Sequence, residues 1–240
     1  MESGGAIAPP DSKEICYTTD MISIYTSAAS DGTMKTIGDN RQAAINNRVV
    51  YLKSQHIDPT QTTLHTLSYD GNDYCRYQLL RDSDKGNGIT FDSTIIADAV
   101  VVTEANHAIL LPLADCIGAV IHDPTKNILM ISHLGRHNLE QFGGTKCIEY
   151  LASEFGVNPA NLTVWLSPAA GSENYPLFAF DNRSMHDVAA EQLQKAGIQP
   201  ASITTSPIDV TMDQDYFSHS QFLKGNRDID GRFAMVAVMR

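Results

Sequence analysis

The sequence predicts an α+β fold in which mixed β-sheets are flanked by helices. Short apolar strands crowd the middle of the chain, and two of them are joined as a hairpin, which requires antiparallel pairing. Helical patterns occur singly between groups of strands. A doubly wound parallel sheet needs strands and helices that alternate regularly, so the irregular order favours mixed sheets.

Length and composition are those of an ordinary globular protein. The 240 residues are 42% hydrophobic and 19% charged, and no apolar run approaches the roughly 20 residues of a membrane span. The net charge of −11 argues against nucleic acid as a partner, because phosphate backbones are bound by clustered Lys and Arg. The N-terminus has no basic region or apolar core of a signal peptide. We expect a flexible lead-in at residues 1–18, a single domain at 19–240 and a cytoplasmic location.

The first half of the chain has few regular elements. Residues 21–26 predict a strand, and residues 40–54 carry the scattered apolar positions of a helix. Residues 62–69 are rich in Thr and alternate, so they predict a second strand. The charged, glycine-containing residues 75–95 predict a long loop.

The second half is richer in apolar strands. Strands are predicted at residues 99–103, 108–113, 117–122, 128–132, 162–166, 202–208 and 233–238. A helical pattern covers residues 136–155, in which Gly143 and Gly144 indicate close packing or a break. Ser184 and Asp187 resemble a capping box that begins a helix ending at Gly197.

Cys116 and His133 are the leading candidates for chemistry. Cys116 enters the first strand of the predicted hairpin and His133 leaves the second, so strand pairing brings them together. A thiol beside an imidazole serves either as a nucleophile and its base or as two metal ligands. We assign Cys116, His133 and the adjacent Asp115 to the catalytic centre. The four cysteines include no C-x-x-C pair, and we expect free thiols.

His137 lies four residues after His133, on the same face of the predicted helix. This is the spacing of a metal-binding histidine pair. With Cys116, the two histidines would form a zinc site whose fourth position is open. The alternative interpretation is that both histidines lie on a helix surface, and the pattern alone does not decide between the two.

Several short motifs occur in a fixed order along the chain. The central ones are ADAVVVT at 97–103, LADC at 113–116 and HLGRHN at 133–138. Others are NR at 47–48, SPAAG at 167–171, YFS at 216–218 and GR at 231–232. In sequence and order, and in the spacing of Cys and His, they resemble the motifs of the laccase-domain family, also called polyphenol-oxidase-like proteins. The resemblance covers the chain from about residue 20 to its end.

This resemblance implies an α/β sandwich and a zinc ion held by one Cys and two His. It also implies cleavage of purine nucleosides by phosphate, with adenosine deamination as a second activity. The expected partners are therefore a purine nucleoside and phosphate. Copper is not expected, because multicopper oxidases use many histidines in paired motifs and the eight histidines here include no H-x-H.

The chain departs from the family pattern at one metal-binding position. Tyr69 stands where the family's Q-V-H-G segment has its histidine, and His65 lies four residues earlier, about 13 Å along a strand. The third zinc ligand is therefore expected to be His65, His137 or His219, unless it is lost.

The chain also lacks arginines that the family has in its T-R-x-G-G and Y-R-R segments, at residues 26–32 and 219–221. Other side chains must then bind an anionic substrate. The candidates for substrate binding are Tyr69, Arg136, Arg48, Arg232 and His219.

Three functions remain open from the sequence. The first is a purine nucleoside enzyme in which zinc, or the Cys116–His133 pair itself, activates phosphate or water. The second is a metal-free hydrolase or deamidase with Cys116 as nucleophile and His133 as base. The third is a non-catalytic relative that binds a nucleoside or a protein at the same site.

Overall fold

Two mixed β-sheets organise residues 17–18 and 21–240, the part of the chain described by this computed structural model. In chain order the strands are β1 Tyr17–Thr18, β2 Ile22–Thr26, β3 Thr62–Leu64, β4 Tyr77–Leu79, β5 Ala99–Val102, β6 Ala108–Leu113, β7 Ile117–Asp123, β8 Ile128–Leu134, β9 Thr163–Leu166, β10 Ile203–Thr205 and β11 Phe233–Met239. The first sheet has the order β1-β2-β11-β6-β3 and the second β10-β9-β7-β8-β5-β4. Each contains parallel and antiparallel pairs, which confirms the α+β class.

The helices are α1 Arg41–Ser54, α2 Arg136–Glu140, α3 Gly143–Phe155, α4 Met185–Lys195 and α5 His219–Leu223. Helices α2 and α3 contact β8, and α4 packs on α3. Ser184 begins α4 as predicted, since its Oγ accepts from the Asp187 N–H at 3.1 Å and donates to the carboxylate at 2.7 Å.

The first sheet is buried on both faces. Alternate residues of β6 and β11, such as Ile109 and Met235, join the core shared with the second sheet. The residues between them, such as Leu110 and Val236, pack instead in a smaller core with Leu52 of α1. This division follows from the period of two along a strand, which sends successive side chains to opposite faces.

The predicted hairpin is confirmed, and it positions the two candidate reactive residues. Strands β7 and β8 pair in antiparallel register, with Ile117 opposite Leu134 and Gly118 opposite His133. Cys116 is therefore the residue immediately before β7, beside the end of β8. Both strands are buried along their whole length, so the short connection between them fixes this register.

Three sequence predictions are wrong in detail. The segment 75–95 is not a continuous loop, because β4 lies within it and pairs in parallel with β5. The strand predicted at 62–69 ends at Leu64. The helix predicted at 136–155 is two helices, because Phe142 has a left-handed φ of 63° and Gly143 lies against Asn138.

The predicted lead-in at residues 1–18 lies outside the described residues, except for the backbone of β1. Within the described residues, none of the helices combines the length and the hydrophobicity needed to cross a lipid bilayer.

Candidate active site

Cys116 and His133 both line a cleft of about 390 Å³. Cys116 is half-buried and His133 is buried. Gly135 separates them: a Cβ on this residue would lie 2.8 Å from the Cys116 Sγ and 3.2 Å from the His133 Nε2. The two atoms are therefore at most about 6 Å apart.

Both reactive groups are neutral at physiological pH. Burial, followed by the nearby Asp115 charge, raises the pKa of the Cys116 thiol to about 12. Burial, followed by the neighbouring His65, lowers the pKa of His133 to about 3. A cysteine nucleophile acts as its thiolate, so this pair is not the charged thiolate–imidazolium pair of a cysteine hydrolase.

Asp115 is occupied by structural hydrogen bonds. Its Oδ1 accepts from the Ser218 hydroxyl and its Oδ2 from the Ser220 N–H, both at 2.6 Å. Its backbone has a left-handed φ of 74°, which a non-glycine residue adopts at some cost. These contacts hold the turn that carries Cys116 against the start of α5, and the catalytic role of Asp115 stays a prediction.

Three aromatic rings form one wall of the cleft, which we call the aromatic wall: Tyr69, Tyr74 and His137. The Tyr74 and His137 rings are stacked, with centroids 4.9 Å apart and planes inclined by 20°. Tyr69 lies 6.3 Å from Tyr74 and 6.4 Å from His137, and 54% of its surface is exposed. A flat, uncharged ligand could stack on this exposed aromatic surface.

The cleft also contains cationic side chains. Lys35, Arg136 and Arg232 line it. Arg232 donates to Asp230 at 2.5 Å, and Asp230 also lies 2.8 Å from the His219 Nδ1. Arg136 is half-exposed, and its Nη1 lies 3.7 Å from the Glu140 Oε1. Arg136 and Arg232 are each close to a carboxylate, whereas Lys35 has no salt bridge among the described residues.

The zinc site predicted from Cys116, His133 and His137 is not assembled. His137 is stacked on Tyr74, and its Nε2 lies 3.1 Å from an Arg136 nitrogen. Among residues 21–240, no group of three His, Cys, Asp or Glu side chains is placed to hold a metal ion. His137 is therefore not placed with Cys116 and His133 as a zinc ligand, and zinc binding by this chain stays a prediction.

The cleft gathers most of the predicted site residues. Those that line it are Cys116, His133, Asp115, Tyr69, Arg136, His137, His219 and Arg232. Arg48 and His65 lie instead in a neighbouring pocket of about 210 Å³. Arg48, predicted to bind substrate with the others, is separated from them because α1 packs behind the first sheet.

Sequence reasoning missed Lys35, Tyr74 and Asn138 as cleft residues. Lys35 lies in an irregular segment before α1 and Tyr74 in another before β4, so neither has periodicity to mark it. Asn138 has a clearer function, since its Nδ2 donates to the Tyr74 carbonyl at 2.6 Å. It holds the aromatic wall, and its place at the end of the HLGRHN motif at 133–138 was the signal that could have identified it.

Comparison with known proteins identifies the family. Residues 25–188, about two thirds of the chain, match the family model described as multi-copper polyphenol oxidoreductase laccase. The chain belongs to this family. Among the described residues, no group of three His, Cys, Asp or Glu side chains is placed to hold the copper named in that description.

Relatives agree with this assignment. The chain is 25% identical over 135 residues to the purine nucleoside phosphorylase YlmD of Bacillus subtilis, a match that covers 52% of this chain. The chain spans about half the length of that curated relative, 48%.

Solved structures with the same fold include the hypothetical protein YfiH of Bacillus licheniformis, with a TM-score of 0.79 and 19% identity over 91% of this chain and 93% of that one. YlmD of Geobacillus stearothermophilus gives 0.78 and 19% identity over 97% and 94%. At these identities the likeness shows the fold.

Proposed function

We propose that this protein cleaves purine nucleosides of the adenosine and inosine type with phosphate. The observation that carries the proposal is that a single cleft holds the Cys116–His133 pair, the aromatic wall and cationic side chains. The name of the Bacillus subtilis relative, purine nucleoside phosphorylase, supports the same substrate class.

The aromatic wall suits the purine. Stacking of a base on an aromatic side chain contributes about 1–3 kcal/mol and requires no charge on the ligand. Tyr69 offers the exposed surface, and the stacked Tyr74 and His137 keep the wall rigid. The purine would then lie against this wall, with its ribose directed toward Cys116 and His133.

The cationic side chains suit the phosphate. In phosphorolysis a phosphate oxygen bonds to the ribose C1′ while the bond from C1′ to the purine N9 breaks, and the purine takes up a proton. Lys35 lines the cleft and forms no salt bridge among the described residues, although Asp230 lies near enough to interact with its charge. The neutral His133 offers a hydrogen bond to the sugar or the phosphate without adding charge.

The second function considered, a metal-free cysteine hydrolase, is disfavoured by the raised pKa of Cys116. A buried thiol beside a carboxylate is protonated at neutral pH and is a weak nucleophile. The missing family arginines at residues 26–32 and 219–221 favour the third function, a non-catalytic binding protein, and the turnover test separates it from the first.

The test is a nucleoside panel. Purified protein is incubated with adenosine, inosine and guanosine, with and without phosphate, and the products are separated by chromatography. We expect free base and ribose 1-phosphate only when phosphate is present. The same assay detects deamination of adenosine, the second activity that the family resemblance implies. Absence of turnover on the whole panel would refute the proposal.

Variants locate the reaction. Cys116→Ala and His133→Asn should abolish turnover, while Cys147→Ala, which removes a buried thiol in α3 outside the cleft, should retain it. Metal analysis and chelation of the same samples test zinc directly. From the donors present we expect activity to survive chelation. Stoichiometric zinc that is lost in Cys116→Ala would show that a third ligand is recruited in solution.

A further inference from the structure

Arg76 and Asp98 form an ion pair beside the cleft, where strand pairing places them opposite each other. Arg76 immediately precedes β4 and Asp98 immediately precedes β5, and the two strands pair in parallel with Tyr77 opposite Ala99. The Arg76 Nε donates to the Asp98 Oδ2 at 2.7 Å, and its Nη2 donates to the Oδ1 at 3.1 Å. Only 4% of the Asp98 side chain is exposed. The fork-shaped contact therefore has a fixed geometry and is largely shielded from water.

A third hydrogen bond of Arg76 reaches the segment that carries Tyr69. The Arg76 Nη2 also donates to the Ser68 carbonyl at 2.7 Å, directly before Tyr69 in the chain. In the described structure, no other hydrogen bond ties residues 67–71 to another part of the chain. The backbone of Tyr74, by contrast, is held by two side chains in and just after α2. The position of the exposed Tyr69 ring thus depends on Arg76.

The other end of this set of contacts is His133. The Asp98 carbonyl accepts from the His133 N–H at 2.8 Å, and the Asp98 side chain lines the cleft. Contacts therefore run from Ser68 through Arg76 and Asp98 to His133. Because the guanidinium is planar and rigid, it fixes Ser68 and Asp98 at a constant separation. The same geometry sets the distance between the aromatic wall and the Cys116–His133 pair.

We propose that Arg76 is a positioning residue, which Asp98 orients and which holds Tyr69 in place relative to His133 before a purine binds. Arg76 itself does not line the cleft. Without its hydrogen bond to Ser68, the loop that carries Tyr69 would become ordered only when the ligand arrives, and this loss of entropy weakens binding. The inference rests on the proposed function, because it requires a purine stacked on Tyr69.

The first experiment measures the kinetics of Arg76→Lys. Lysine keeps a positive charge beside Asp98, but its single nitrogen cannot replace the fork that holds Asp98 and Ser68 together. We expect the KM for inosine to rise about tenfold, the size of a lost stacking interaction, while kcat stays near that of wild type. A role in stability alone would reduce the amount of active protein, and so lower kcat with KM unchanged. That result would overturn the proposal.

The matched control is Arg183→Lys. Arg183 also pairs with a carboxylate, that of Glu191, and donates to a backbone carbonyl, that of Asp187, at 3.1 Å. It does not line the cleft. The control should therefore keep the wild-type KM.

A double-mutant cycle tests whether Arg76 acts through Tyr69. If it does, Arg76→Lys should add nothing once the ring is gone, and the double variant should have the KM of Tyr69→Ala. Independent effects would multiply and give a KM about 100-fold above wild type. That outcome would show that Arg76 does not position Tyr69 and would overturn the proposal.

A spectroscopic test needs no turnover. The nine tyrosines are replaced by 3-fluorotyrosine, and the ¹⁹F resonance of residue 69 is identified by its absence in Tyr69→Phe. In Arg76→Lys this resonance should move toward that of free 3-fluorotyrosine, because the ring leaves its neighbours in the aromatic wall. The remaining tyrosine resonances show that the protein is folded, and Arg183→Lys should leave residue 69 unmoved.

The two kinds of measurement separate the possible failures. An unmoved Tyr69 resonance in folded Arg76→Lys would overturn the positioning role whether or not a nucleoside is turned over. A moved resonance in a protein that turns over no nucleoside refutes the proposed function and supports the positioning role. If Arg76→Lys does not fold, Arg76→Gln combined with Asp98→Asn removes both charges together and leaves neither unpaired. Its Tyr69 resonance should move in the same way, and an unmoved one would again overturn the proposal.

Discussion

Gly135 is the residue whose substitution should disturb both reactive groups at once. Its φ of −103° and ψ of 176° are ordinary extended values, so Gly135→Ala introduces no backbone strain. The new Cβ would lie 2.8 Å from the Cys116 Sγ and 2.8 Å from the His133 Cε1. These approaches are roughly 1 Å shorter than a normal carbon contact, so the thiol and the imidazole must move apart.

The magnitude follows from that displacement. Misplacement of a reacting group by about 1 Å lowers catalysis by about 100-fold. Overpacking of a close contact costs about 1–3 kcal/mol in the free energy of unfolding. We expect Gly135→Ala to lower kcat/KM for inosine by about 100-fold while the protein stays folded.

The control is Gly144→Ala, since a Cβ there would lie 2.9 Å from the Gln192 Cβ, away from the cleft. It should lose similar stability in urea but keep its activity. Labelling of Cys116 with iodoacetamide, followed by mass spectrometry, measures the same crowding without a substrate and should be several-fold slower in Gly135→Ala. Wild-type kcat/KM together with a wild-type labelling rate would refute the geometry described for the pair.

Three other perturbations have defined outcomes. Tyr69→Ala should raise the KM for inosine about tenfold because stacking is lost, whereas Tyr69→Phe should leave the KM unchanged. Steady-state kinetics measure both values, and equal KM values for the two variants would contradict stacking on Tyr69. Asp115→Asn replaces a carboxylate oxygen, which accepts a hydrogen bond from Ser218 or Ser220, with an amide group that donates. It should lower the free energy of unfolding, measured in urea, by about 1–3 kcal/mol. An unchanged urea midpoint of unfolding would mean that these hydrogen bonds contribute nothing to stability. Burial lowers the pKa of His65 to about 4, so below pH 6.5 the unfolded chain binds more protons and stability falls as the pH falls toward 4. Between pH 7 and pH 5, wild type should lose about 2 kcal/mol more than His65→Gln, and equal losses in the two proteins would contradict the burial of this ring.

The sequence by itself determined the local elements and the central pair. Two apolar runs on either side of a short turn predicted the β7–β8 hairpin, and the pairing of the strands placed His133 beside Cys116. The Ser184 cap and the close packing at Gly143 could also be predicted from the sequence, because each depends on contacts within one turn or between neighbouring elements. Interactions of this kind are encoded by residue spacing, which a sequence displays directly.

Only the tertiary structure decided what surrounds the pair. His137 has the spacing of a metal ligand but is stacked on Tyr74, which an irregular segment brings to the cleft. Arg48 was grouped with the cleft residues but lies in the neighbouring pocket, together with His65. The direction of such side chains depends on packing between segments far apart in the chain, and no local period records it. For the same reason the sequence could propose Cys116 and His133 but could not show that His137 is stacked on Tyr74 instead of lying beside them.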